Sequence, residues 1–80
     1  MAAHTALSPV ARLRDIDARL ASNRDRLVEA IDLKLRGFGS AEADDLETER
    51  RRLWTEMSDA WAETSWEDQR AYRREQEAAA

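Results

Sequence analysis

The chain has no cysteine, one proline and two glycines in eighty residues. Without cysteine it can build neither a disulfide framework nor a thiolate metal site. With Pro9, Gly37 and Gly39 as its only strong breakers, nearly all of it is free to be helical. Histidine occurs once, at His4, so an imidazole metal cluster or a Ser–His–Asp relay has almost nothing to be made from. No apolar run approaches the roughly eighteen residues of a membrane span. The start, Met1-Ala2-Ala3-His4, lacks the basic and apolar regions of a signal peptide. Lysine is nearly missing too: of thirteen basic residues only Lys34 is not arginine. With this much alanine, aspartate and glutamate, that bias is what a GC-rich genome produces, bacterial or phage. These absences lead to the expectation of a cytoplasmic protein with no cofactor and no metal.

What is present is charge and helical periodicity. The net charge is −4, which repels nucleic-acid phosphates unless the basic residues gather on one face. Eighty residues make a single domain, residues 1–80. Residues 1–7 are expected to be disordered, with His4 solvated among them, and 78–80 to be either frayed or a cloning remnant.

Ser8-Pro9 reads as a helix start, a hydroxyl cap followed by proline in the first turn. The first helix is predicted over 9–36. Its apolar residues Leu13, Ile16, Leu20, Leu27, Ile31 and Leu35 recur at helical spacing and define one face. Asn23 interrupts the stripe, either as a buried register residue of the kind found in coiled-coil seams or facing solvent. Gly37 suits the left-handed position past a helix end, with Phe38 packing back on Leu33. Gly37, Phe38 and Gly39 thus form the turn of an antiparallel hairpin, and Ser40 is expected to cap the next helix.

The second helix is predicted over 41–64, with Leu46, Leu53, Met57 and Ala60 facing the first. Trp54, Trp61 and Tyr72 share a second stripe, and Trp66 fits neither. Either the helix runs on with Trp66 exposed, or it breaks at Thr64-Ser65. In the second case Thr64 and Glu67 would form a capping box for a short third helix reaching about Glu77. A symmetric hairpin register sets Ile31 against Leu46, Leu20 against Met57, Ile16 against Trp61 and Asn23 beside Trp54. It also leaves Arg50 in conflict with Leu27.

The fold class is therefore all-α, a helical hairpin with or without a third helix. Its core seam is Leu13, Ile16, Leu20, Leu27, Ile31, Leu46, Leu53, Met57 and Ala60. So small a unit hides too little apolar surface to stand easily alone. Trp54, Trp61, Trp66, Tyr72, Val28 and Leu35 make up the candidate interface, Trp61 being the most core-like of them. Self-association into a dimeric four-helix bundle would cover this surface; a folded-back third helix is the alternative cover.

Candidate chemistry is thin. Asp44, Asp45, Glu47, Glu49, Glu56, Asp59 and Glu63 alternate with arginine, the pattern of a solvated helix face rather than an acid–base site. Arg50-Arg51-Arg52 points in three directions and is neutralised by nearby glutamates. Arg70, Arg73 and Arg74 beside Tyr72 are the better basic patch, although Glu67, Asp68, Glu75 and Glu77 surround them. The expected function is a non-enzymatic interaction module that self-associates and binds another protein as an accessory, regulatory or inhibitory factor. The alternative is a nucleic-acid-associated regulator using Arg70, Arg73 and Arg74.

Overall fold

The computed structural model of the protein describes residues 8–79; His4 lies outside them. Three helices account for nearly all of this length, α1 (Pro9–Leu35), α2 (Ala41–Ala62) and α3 (Trp66–Ala79), and there is no strand among the described residues. The protein is all-α, and α1 and α2 form the hairpin.

Each boundary has a local cause. The Ser8 hydroxyl accepts a hydrogen bond from the Ala11 N–H at 3.2 Å, with Pro9 in the first turn. At the other end Gly37 takes φ +95. The Phe38 N–H then reaches the Leu33 carbonyl at 3.0 Å and the Gly37 N–H the Lys34 carbonyl at 3.1 Å, the paired closure of a Schellman end. Phe38 and Leu33, the hydrophobic positions of that motif, both keep much of their surface in solvent. Ser40 precedes α2 but its hydroxyl makes no capping bond; Glu42 and Asp44 in the first turn complement the helix dipole instead.

The chain does break after α2, two residues before position 64. Thr64 is not the cap. Its hydroxyl donates back to the Ala60 carbonyl at 2.6 Å and is buried. The capping hydroxyl belongs to Ser65, which accepts from the Asp68 N–H at 3.2 Å. A threonine bonded back into its own helix leaves its neighbour to open the next one.

The hairpin register differs from the symmetric expectation by one helical turn. Asn23 bonds Arg50, not Trp54. The shift brings Leu20 level with Leu53 and Leu13 with Ala60 in one core cluster, with Ile16 and Met57 alongside. Leu27 lies with Leu46, and Ala30 with Ala43, in a second. Ile31, expected in the seam, is 38% exposed. Alanines 30 and 43 are buried in its place, because two methyl-sized side chains let the helices approach where a larger pair would hold them apart. The same shift leaves the last turn of α1 overhanging the start of α2.

Asn23, which interrupts the apolar stripe, and Arg50, which conflicts with Leu27 in the symmetric register, become one polar layer. Asn23 is fully buried and donates to the Leu46 carbonyl at 2.9 Å and to Glu49 Oε1 at 2.8 Å. Arg50 donates to Asn23 Oδ1 and to the Leu20 carbonyl, both at 3.4 Å. No side-chain polar atom is buried without a partner among the described residues. This layer separates the two core clusters.

Candidate functional site

The hairpin has two unlike flanks. On one, Arg12, Arg19 and Arg26 of α1 stand seven residues apart and meet Glu63, Glu56 and Glu49 of α2, also seven apart, at 3.1, 3.2 and 2.9 Å. Exposed pairs of this kind contribute roughly 0–1 kcal/mol each. Their repeat nevertheless disfavours a slip of one turn, which would break all three together. The heptad spacing of both series is present in the sequence, but only the register of the hairpin shows that they meet.

The other flank is apolar. Helical phase puts Val10 and Ile31 of α1, and Trp54 and Trp61 of α2, on that side. The end of α2 turns the chain back, and α3 lies over the Val10–Trp61 half of this flank. Tyr72, placed among the exposed interface residues from sequence, is buried against Leu13, Ile16 and Leu20. Its ring meets Trp61 edge-on, centroids 6.3 Å apart at 67°. Trp61 is half-buried against the same cluster. Gln69 donates to the Trp61 carbonyl at 2.9 Å, and Arg14 holds Glu75 with two bonds of 2.7 and 2.9 Å. Tyr72 and Trp61 therefore cover each other, and the stripe they belong to is divided. The α3 fold-back hides one half and leaves the other open.

The open part is Trp54, 51% exposed, together with Val28, Ile31 and Leu35 towards the turn and Phe38 just beyond; Leu33, also exposed, stands seven residues after Arg26 on the opposite flank. A groove lined by Asp17, Leu20, Ala21, Arg24, Arg50, Trp54 and Gln76 lies between the second half of α3 and the hairpin. Arg50 also sits over the Trp54 ring at 5.9 Å. Trp66, 65% exposed, stands apart at the start of α3 beneath Arg70, whose guanidinium lies 4.6 Å from the ring centre. Arg73 covers Trp61 at 5.1 Å. Two of the three arginines of the basic patch are thus engaged with this chain's own indoles.

The ionisable groups are held towards their ordinary charged or neutral forms. The Asn23 amide, chiefly, and the guanidinium of Arg26 hold the Glu49 carboxyl below its usual value. Its bond to Arg14 does the same for Glu75 and raises Arg14. Burial, with Asp17 and Glu75 nearby, raises the Tyr72 phenol. Such carboxylates are poorly suited to donating protons near neutrality. Among the described residues no group of three or more His, Cys, Asp or Glu side chains could hold a metal ion, and no helix is long and apolar enough to cross a membrane.

Glu75 and Tyr72 give α3 docking a dependence on pH of opposite sign. Glu75 has its carboxyl lowered in the fold, so its contribution is present above the ordinary carboxyl value of 4.5 and is lost as pH falls through the folded value. Tyr72 has its phenol raised, so its contribution is intact below 10.0 and is lost as pH climbs through the folded value. Tryptophan fluorescence should therefore report α3 undocking at both acidic and alkaline extremes. Tyrosinate absorbance should develop above pH 10.0, and a titration at the free-tyrosine value would contradict the burial.

No family model matches this chain, and no curated protein or solved structure was found to be similar to it.

Proposed function

We propose that this protein is a non-enzymatic interaction module, a small acidic helical hairpin that associates with itself and binds another protein as an accessory, regulatory or inhibitory factor. One observation carries the reading: the helices leave Trp54, Trp66 and five large aliphatic or aromatic residues at the turn end exposed after the fold has covered what it can. Apolar surface of that extent on so short a chain is the mark of a contact surface, and tryptophan is a characteristic interface anchor. The heptad-spaced layers with one polar layer support reading the hairpin as a short antiparallel coiled coil, a stiff frame from which to present such anchors. Lowered carboxyls and shallow, open depressions favour contact over catalysis. The engagement of Arg70 and Arg73 with indoles and the net charge of −4 weigh against the nucleic-acid alternative.

Affinity capture with the intact chain, compared with Trp54→Ala and Trp66→Ala, tests this. Loss of a tryptophan anchor should weaken retention of the bound protein by about 30-fold or more, the effect of a hot-spot truncation of about 2 kcal/mol. Retention unchanged in both variants, or no protein retained by the wild type, would remove the basis of the reading.

A further inference from the structure

The α1 helix is 27 residues and α3 is 14, about 40 Å against about 21 Å at 1.5 Å per residue. The fold-back therefore covers only half of the apolar flank. The uncovered half is the turn end of α1, where Val28, Ile31 and Leu35 follow one another at spacings of three and four, with Phe38 just beyond. Leu35 is 82% exposed. The core beneath this end is meagre: two leucines and two alanines, cut off from the main cluster by the Asn23–Arg50 layer.

From this we infer that the turn end of the hairpin is the seat of a second copy of this chain. The two copies pack antiparallel along Val28, Ile31 and Leu35 about a two-fold axis beside Ile31. This deepens the proposed self-association by assigning it a place, and it rests on that reading.

Three features select a second copy over another protein. A two-fold contact needs a patch that complements itself. A stripe of this spacing, run antiparallel, sets Val28 against Leu35 of the second copy twice and Ile31 against its own equivalent once. Arg24, at one end of the stripe, comes beside Phe38 of the second copy, and a guanidinium over a ring is favourable. Finally, Val28, Leu35 and Phe38 are 63%, 82% and 64% exposed, so the stripe is free along its whole length to be covered by a copy of itself. The second copy then continues the line of α3, each occupying one half of the same flank. Trp66 stays outside this contact.

Sedimentation velocity on the full chain decides the matter. The wild type should sediment as a dimer of the 9.2 kDa chain at micromolar concentration. Ile31→Arg should raise the dissociation constant by about 30-fold or more with its helical circular dichroism retained, while Trp66→Ala should stay dimeric. Register is tested by mixing. Val28→Glu and Leu35→Lys should each dimerise poorly alone and form a heterodimer together, because the new charges meet across the axis. That mixture also decides the case if Ile31→Arg fails to fold. A dimer unaffected by Ile31→Arg, or no heterodimer from the mixture, overturns this seat while leaving self-association elsewhere intact. A wild type that is monomeric throughout, yet still retains a bound protein through its tryptophans, overturns the second copy and leaves the interaction module standing.

Discussion

Leu53→Ala should lower the stability of this protein by about 2–5 kcal/mol, the range of buried leucine truncations, while Trp54→Ala next to it should cost about 0.5 kcal/mol or less, as surface substitutions do. Leu53 lies in the main cluster with Leu13, Ile16, Leu20, Ala60 and Tyr72. Removing its branched end opens a void that the flanking leucines cannot fill without breaking helical contacts on both sides. Trp54 is one residue on, roughly 100° round the helix, with half its surface in solvent. A larger residue deleted at smaller cost is an outcome that size and hydrophobicity alone would get backwards. Urea denaturation of the two variants under one set of conditions measures both. A Leu53→Ala cost below about 0.5 kcal/mol would show that the helix phase described above is mistaken.

The polar layer has the second largest expected effect. Asn23→Ala removes two donated bonds and the acceptor for Arg50. It should cost about 2–3 kcal/mol, since buried hydrogen-bonding partners are left unsatisfied. Replacing the whole layer, Asn23→Leu with Arg50→Leu, should recover most or all of that loss, because two apolar groups of similar size need no partners. The double variant should lose uniqueness instead. With leucine at both positions the seam reads alike one turn in either direction, and only the Arg–Glu ladder opposes a slip. Amide NMR spectra should show extra or broadened resonances at the turn end, as loss of a register-defining polar residue does in coiled coils. A double variant less stable than Asn23→Ala, or one with a single sharp set of resonances, would assign the layer a different role.

The reasons that some of this was legible from sequence are local. Ser8-Pro9 and Gly37 act through their own backbone geometry, so the limits of α1 follow from a few adjacent residues. The stripe Leu13, Ile16, Leu20 and Leu27 needs only the period of a helix. Phe38, by contrast, closes the backbone of its motif while its ring stays exposed. Whether its ring finds Leu33 depends on what else lies near the turn. Thr64 and Ser65 are both capable caps, and the choice between them follows from which hydroxyl is drawn back into the helix behind it.

The candidate surface was legible as a surplus of apolar residues but not as a location. Trp54, Trp61 and Tyr72 share one stripe by phase, yet Tyr72 is core, Trp61 is half-covered and Trp54 is open. Nothing in the period distinguishes them, because the difference is how far α3 reaches along α1. Ala30 and Ala43 were passed over as seam residues since alanine is compatible with either face of a helix.

From its sequence alone, then, this protein is determined to be helical over most of the described residues, to reverse at Gly37, and to carry more apolar helix face than one hairpin stripe can hide. Those properties rest on backbone preference and period, which act over a few residues. Only the tertiary structure decided the one-turn register, the Asn23–Arg50 layer and the half of the flank that α3 covers. Each of those is a choice among alternatives with equally good local geometry, and it is settled by which side chains fit together across tens of residues.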